Sequence, residues 1–144
     1  MAAPSKEIIL TREDIAKYQK KLDYYKTHHR KVVAERIKQA KEFGDISENA
    51  EYEDAKSEQA FIEGEIMNLE NILRYVKVLD EKEILKDRVS LGSTVCIKDV
   101  TTGKTYENTI VDPLEADPSN GKISNESPIG NGLLGKELGA QVDI

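Results

Sequence analysis

Gly44-Asp45-Ile46-Ser47-Glu48-Asn49-Ala50-Glu51-Tyr52 lies between two long stretches of helical periodicity. A connection this short between two helices folds the chain back on itself as a hairpin. Asp45 and Glu48 then sit at the far end of a rod, away from the rest of the protein. Carboxylates held there are available to another molecule's active site.

The rod follows from the spacing of apolar residues. Thr11 can cap a first helix, with Asp14 near the positive end of its dipole. Ile15, Tyr18, Leu22, Tyr25 and His29 then recur in steps of three, four, three and four, the seam of a coiled coil. Val32, Val33, Ile37, Ala40 and Phe43 continue the apolar face up to Gly44, which suits a left-handed helix end. A helix of roughly 33 residues would be roughly 50 Å long. The second helix is expected to open between Asp45 and Ser47. Its seam runs through Ile62, Ile66, Leu69, Leu73 and Val76, with Phe61, Ile72 and Leu79 beside it. Gly64 weakens that helix by about 1 kcal/mol relative to Ala. Matching seams predict an antiparallel coiled-coil hairpin over residues 1–80, with its acidic tip at 44–52.

From residue 81 to residue 144 the pattern changes. Ser93–Val100, Thr105–Val111 and Lys122–Ser124 read as strands. Thr101-Thr102-Gly103-Lys104, Asp112-Pro113 and Ser119-Asn120-Gly121 read as the turns between them. Ser127-Pro128-Ile129-Gly130 reads as a loop, and Leu133-Leu134-Gly135 as a short helix with a glycine stop. The expected fold class is α+β: a helical hairpin followed by a small, mainly antiparallel sheet domain.

Composition narrows the function. Charged residues make up 33% of the 144, aromatic residues 6%, and there is no Trp, which argues against a large core. No apolar run of about 20 residues spans a membrane, and Met1-Ala2-Ala3-Pro4-Ser5-Lys6 lacks the apolar centre of a signal peptide. Cys96, the single cysteine, has no internal disulfide partner and reads as a small packed thiol in a strand. No Cys/His cluster suggests zinc, and a cytosolic, cytoplasmic protein is expected.

The net charge of -6 conceals an asymmetry. From Arg12 to Lys41 ten basic residues face four acids; from Glu42 to Glu65 nine acids face Lys56 alone. Phosphates would be repelled by the acidic tip, which excludes a generic nucleic-acid binder. A tip meant for a metal ion would carry such charge. Charge pairing across a solvated hairpin explains the same distribution. Asp45 and Glu48 likewise admit two readings. Their spacing fits a capping box at a helix start. It also suits Mg²⁺, which takes hard oxygen ligands and only one or two protein carboxylates. Two exposed carboxylates cannot hold Mg²⁺ tightly alone, but they can complete a site that a partner has half built.

The tip motif, followed by Ala55-Lys56 and Gln59-Ala60-Phe61-Ile62-Glu63-Gly64, resembles the bacterial transcript-cleavage factors of the Gre family, in particular its GreA branch. The resemblance continues through Ile9-Leu10-Thr11, Ala34-Glu35-Arg36-Ile37, Leu91-Gly92-Ser93-Thr94-Val95, Glu115-Ala116-Asp117, Gly121-Lys122-Ile123-Ser124 and Ser127-Pro128-Ile129-Gly130. It implies a C-terminal domain shaped like the FKBP prolyl isomerases that docks at the rim of RNA polymerase's secondary channel. It implies that Asp45 and Glu48 help hold a second Mg²⁺, shared with the polymerase active site, while the polymerase hydrolyses the 3′ end of a backtracked transcript. Lys41 and Lys56 match positions that contact RNA, and Ser127 and Pro128 lie in the docking region. The chain is then a monomeric transcription elongation factor and not an enzyme by itself. The alternative is a secondary-channel regulator that docks without stimulating cleavage and inhibits. Prolyl isomerase activity is disfavoured, because Tyr106 is the only aromatic residue beyond Tyr75 and such pockets need several. Family members usually continue past the equivalent of Gln141-Val142-Asp143-Ile144 with a turn and a last strand, so an unpaired sheet edge and weaker docking are expected. Asp112-Pro113 and Asn131-Gly132 also depart from the family pattern.

Overall fold

The computed structural model describes residues 7–42 and 49–144. The chain divides into two compact units, Glu13–Val76 and a discontinuous unit of Met1–Arg12 with Lys77–Ile144. The sequence boundary at residue 80 separated a first domain from a second; here the described part of the N-terminus groups with the C-terminal residues instead.

The first unit is a helical hairpin of α1 (Arg12–Tyr24), a π-helical turn (Tyr25–His29), α2 (Arg30–Glu42) and α3 (Ala50–Tyr75). Val33 and Ile37 of α2 pack with Ala55, Ile62 and Ile66 of α3, and Leu22, Tyr25 and Tyr52 lie against this cluster. Leu69 and Ile72 are also buried on α3. Two expected seam neighbours face outward instead: Val32 is 43% and Phe61 60% exposed.

The unbroken first helix is corrected by the π turn. Inward positions after Tyr25 come at His29, Val33 and Ile37, in successive steps of four. Each such step overshoots a full α-helical turn by about 40°, so a regular helix would carry the later positions off the interface. A five-residue turn absorbs the drift. The Arg30 N–H bonds to the Tyr25 carbonyl, and the Thr27 hydroxyl donates to the Asp23 carbonyl at 2.6 Å. The tilt of the seam toward α3 is thereby kept.

In the second unit, β1 (Ile8–Leu10) pairs with β2 (Val76–Val78) in a two-stranded sheet. Leu10 is buried, and its carbonyl accepts from the Leu79 N–H at 2.8 Å. The buried Asp112 carboxylate takes the Ile9 N–H on one oxygen and the Leu114 N–H on the other, each at 3.0 Å. Both oxygens are thus hydrogen-bonded, which offsets the cost of burying a carboxylate. A second sheet has the order β3 (Thr94–Lys98), β4 (Thr105–Val111), β5 (Lys122–Ser124). β3 and β4 are antiparallel, and the expected turn between them is held by Asp99, whose side chain accepts from the N–H groups of Thr101 and Thr102. β5 runs parallel to β4. The segment 112–121 between them forms two 3₁₀ turns, Pro113–Glu115 and Pro118–Asn120, and returns the chain to the same direction. The α+β class holds, with this one parallel pair in the small sheet.

Three local readings change. Ser127-Pro128-Ile129-Gly130 opens a helix, α4 (Pro128–Leu133), rather than a loop, because Ser127 caps it and proline suits the first helical position. The short helix expected around Leu133 ends there instead, ahead of Gly135. Cys96 is exposed on β3, opposite Glu107, and is not packed.

Two substitutions two residues apart on α3 test this packing with opposite signs. Ile62 is 1% exposed, so Ile62→Ala should cost about 2–5 kcal/mol in urea unfolding. A Cβ added at Gly64 meets nothing within 4 Å, so Gly64→Ala should stabilise by about 0.5–1 kcal/mol.

Candidate functional site

α2 ends at Glu42 and α3 begins at Ala50, and this end of the hairpin is its mouth. Asp45 and Glu48 lie outside the described residues. The helix start expected between Asp45 and Ser47 lies outside the described residues, and the described helix is α3. Its first residue is Ala50 and its cap is Asn49, whose side-chain oxygen accepts from the Tyr52 N–H at 3.2 Å. The capping function assigned to Asp45 and Glu48 is therefore filled at this helix start by Asn49. The Asn49 amide also donates to the Ala40 carbonyl of α2 at 2.6 Å. Glu51 and Glu53 occupy the first turn of α3, where the helix dipole favours negative charge.

The charge asymmetry becomes a ladder across the hairpin. Lys26 pairs with Glu70 at 3.7 Å. Arg30 makes a two-pronged pair with Glu63, at 2.9 and 2.8 Å. Arg36 pairs with Glu58 and, at 3.6 Å, with Glu51. His29 Nε2 bonds to the other Glu58 oxygen at 2.9 Å. Exposed pairs of this kind contribute about 0–1 kcal/mol each, so they select the pairing of the two faces more than they stabilise it. Glu58 is bound from two directions: the hydrogen bond to His29, and then the charge of Arg36, hold its carboxyl below the ordinary value despite some loss of solvent.

The remaining predicted residues separate into two groups. Lys41 on α2 and Lys56 on α3 are both exposed on the helices that flank the mouth, and Lys56 reaches Gln59 at 3.3 Å. Ser127 and Pro128 lie in the other unit. The Ser127 hydroxyl donates to the Ser124 carbonyl at 2.6 Å and accepts from the Gly130 N–H at 3.0 Å, while Pro128 is exposed. Gly130 is buried so close to Ser124 that an added Cβ would lie 2.0 Å from its carbonyl oxygen. Nearby, Asp117 is held below its ordinary value by hydrogen bonds from Asn120 and Ser119. Among the described residues no group of three or more His, Cys, Asp or Glu side chains is placed to hold a metal ion. No helix among them is long and apolar enough to cross a membrane. Two residues of this site were not singled out from sequence, Asn49 and Glu58. Asn49 carried a signal, since Asn is a favoured helix cap.

The helical hairpin and the small mixed sheet fall within two successive matches to families of transcription elongation factors. The family described as "Transcription elongation factor, N-terminal" matches residues 8–78, and "Transcription elongation factor, GreA/GreB, C-term" matches residues 84–144. The transcription elongation factor GreA of Caldanaerobacter subterraneus subsp. tengcongensis is 54% identical over 140 residues, covering 97% of this chain and 89% of its own length. That of Acetivibrio thermocellus is 51% identical over 142 residues, covering 99% and 89%. Among solved structures, GreA factor homolog 1 (Gfh1) of Thermus thermophilus aligns with a TM-score of 0.51 at 29% identity, over 95% of this chain and 88% of that one. This chain belongs to the GreA/GreB family of transcription elongation factors.

The two bonds to Glu58 give the hairpin a pH dependence of known sign. A carboxyl held low in the folded state adds stability above its unfolded value, and loses it as pH falls through the lower folded value. Stability should therefore drop on acidification below the ordinary glutamate value of 4.5. Glu58→Gln should flatten that drop, as read by thermal midpoints across the acid range.

Proposed function

We propose that this chain binds bacterial RNA polymerase, passes its hairpin into the secondary channel, and stimulates the polymerase's own cleavage of the 3′ end of backtracked nascent RNA. Family membership along the chain supports the reading. One local observation carries it: the Asn49 amide ties the start of α3 to the Ala40 carbonyl of α2, two residues that bracket the acidic segment 43–48 in the sequence.

In this reading Asp45 and Glu48 bring oxygen ligands to a centre that the polymerase has already partly built. As a donor set they suit Mg²⁺, being hard oxygens and too few to form a site alone. An ion bound there would supply charge stabilisation and an acidified water at the phosphodiester. The chain's own part is to carry the two carboxylates on a stiff support and to keep them together. Lys41 and Lys56, on the two flanks, would meet RNA phosphates. Ser127, already committed as a cap, would shape the docking surface, and the exposed Pro128 would touch the polymerase. The chain acts as a monomer in the cytoplasm and does not hydrolyse RNA by itself.

Stalled, backtracked elongation complexes test the reading directly. Wild-type protein should shorten the transcript. Asp45→Ala and Glu48→Ala should each lose stimulated cleavage while still competing with wild type for the polymerase. Unchanged cleavage in both variants would remove the reading. Protection of the transcript by the wild type would instead identify a regulator that docks without stimulating.

A further inference from the structure

The Asn49 side chain bonds in two directions at once. Its amide nitrogen donates to the Ala40 carbonyl in the last turn of α2, and its oxygen accepts from the Tyr52 N–H in the first turn of α3. Its own carbonyl accepts from the Glu53 N–H at 3.2 Å. Capping alone does not require this residue type, because Asp and Ser cap as well as Asn. A side-chain amide is what supplies a donor and an acceptor together. The donor meets a real need. The last four carbonyls of a helix lack partners within it, and Ala40 is 3% exposed, so water has little access to replace the bond.

We infer that Asn49 is a positioning residue for the activity proposed above. By fastening the end of α2 to the start of α3, it sets the separation at which the chain enters and leaves segment 43–48. Glu48 is the neighbour of Asn49 in the chain, and Asp45 lies four residues before Asn49. Arg36 braces the same closure from α2 through Glu51 and Glu58 of α3. The inference rests on the reading of Asp45 and Glu48 as the acting acids. A misplacement of about 1 Å at a reacting centre costs on the order of a hundredfold in rate. The effect therefore falls on the rate at saturation and not on docking.

The test uses the full chain carrying Asn49→Ser or Asn49→Asp. Both variants keep a capping oxygen and both lack the amide donor. Circular dichroism and the thermal midpoint report whether the helices persist. With each variant, cleavage of backtracked complexes at saturating factor should slow on the order of ten- to a hundredfold, and the half-saturating concentration should stay at the wild-type value. A rise in half-saturation that excess factor overcomes would overturn the inference, since it marks a merely structural role. A loss with Asp but not Ser would also overturn it, because it reports added negative charge. A wild-type saturating rate in Asn49→Ser beside an inactive Asp45→Ala overturns this inference alone. An active Asp45→Ala removes the reading beneath it, and the inference with it.

Discussion

Burial of Val33 and Ile37 against Ala55, Ile62 and Ile66 is the contact on which the hairpin depends. Helices of this length gain little from backbone propensity alone; most of their stability comes from an apolar face finding a partner. Here that face is narrow, and much of the surface around it is charged. The seam therefore supplies adhesion, while the cross-hairpin pairs from Lys26–Glu70 to Arg36–Glu51 choose which faces meet. A one-residue slip would break these pairs, setting Arg30 against Ile62 or Gly64 in place of Glu63, as well as misplace the apolar residues. The register of the hairpin is thus set twice, by packing and by charge.

The same constraint accounts for the π turn. Both partners must keep their apolar residues facing each other, and α3 does so as a regular helix. The other strand of the hairpin carries one run of four-residue steps too many for a regular helix. It yields at Tyr25–His29, where Tyr25 stacks on His29 with ring centroids 5.6 Å apart and His29 reaches Glu58. The irregularity is local because the seam on either side is not.

Much of this was legible in the sequence. The hairpin, its inward residues Leu22, Val33, Ile37, Ile62 and Ile66, the turn closed by Gly103, and the α+β class all follow from spacing and turn chemistry. Other features were not legible, for identifiable reasons. Apolar character at Phe61 and Val32 suggested burial, but the seam is too narrow to take them. Asn49 as the cap of α3 was overlooked because Asp45 and Glu48 have the spacing of a capping box. Ser127-Pro128 looked like a turn because the same residues start turns and helices. β1 could not be seen at all, since its partners are far along the chain. As for Asp45 and Glu48 themselves, the motif that marks them is plain in sequence, while their geometry lies outside the described residues.

The carboxylate of Asp112 has a consequence for the order of assembly. It binds the Ile9 N–H across a separation of 103 residues. A chain emerging from the ribosome has all of Glu13–Val76 available long before residue 112 exists, and contacts close in sequence form soonest. The helical arm can mature while the nascent segment before it still waits for its anchor. β1 can pair with β2 once residue 79 has been made, but its bond to Asp112 forms only after residue 112 follows.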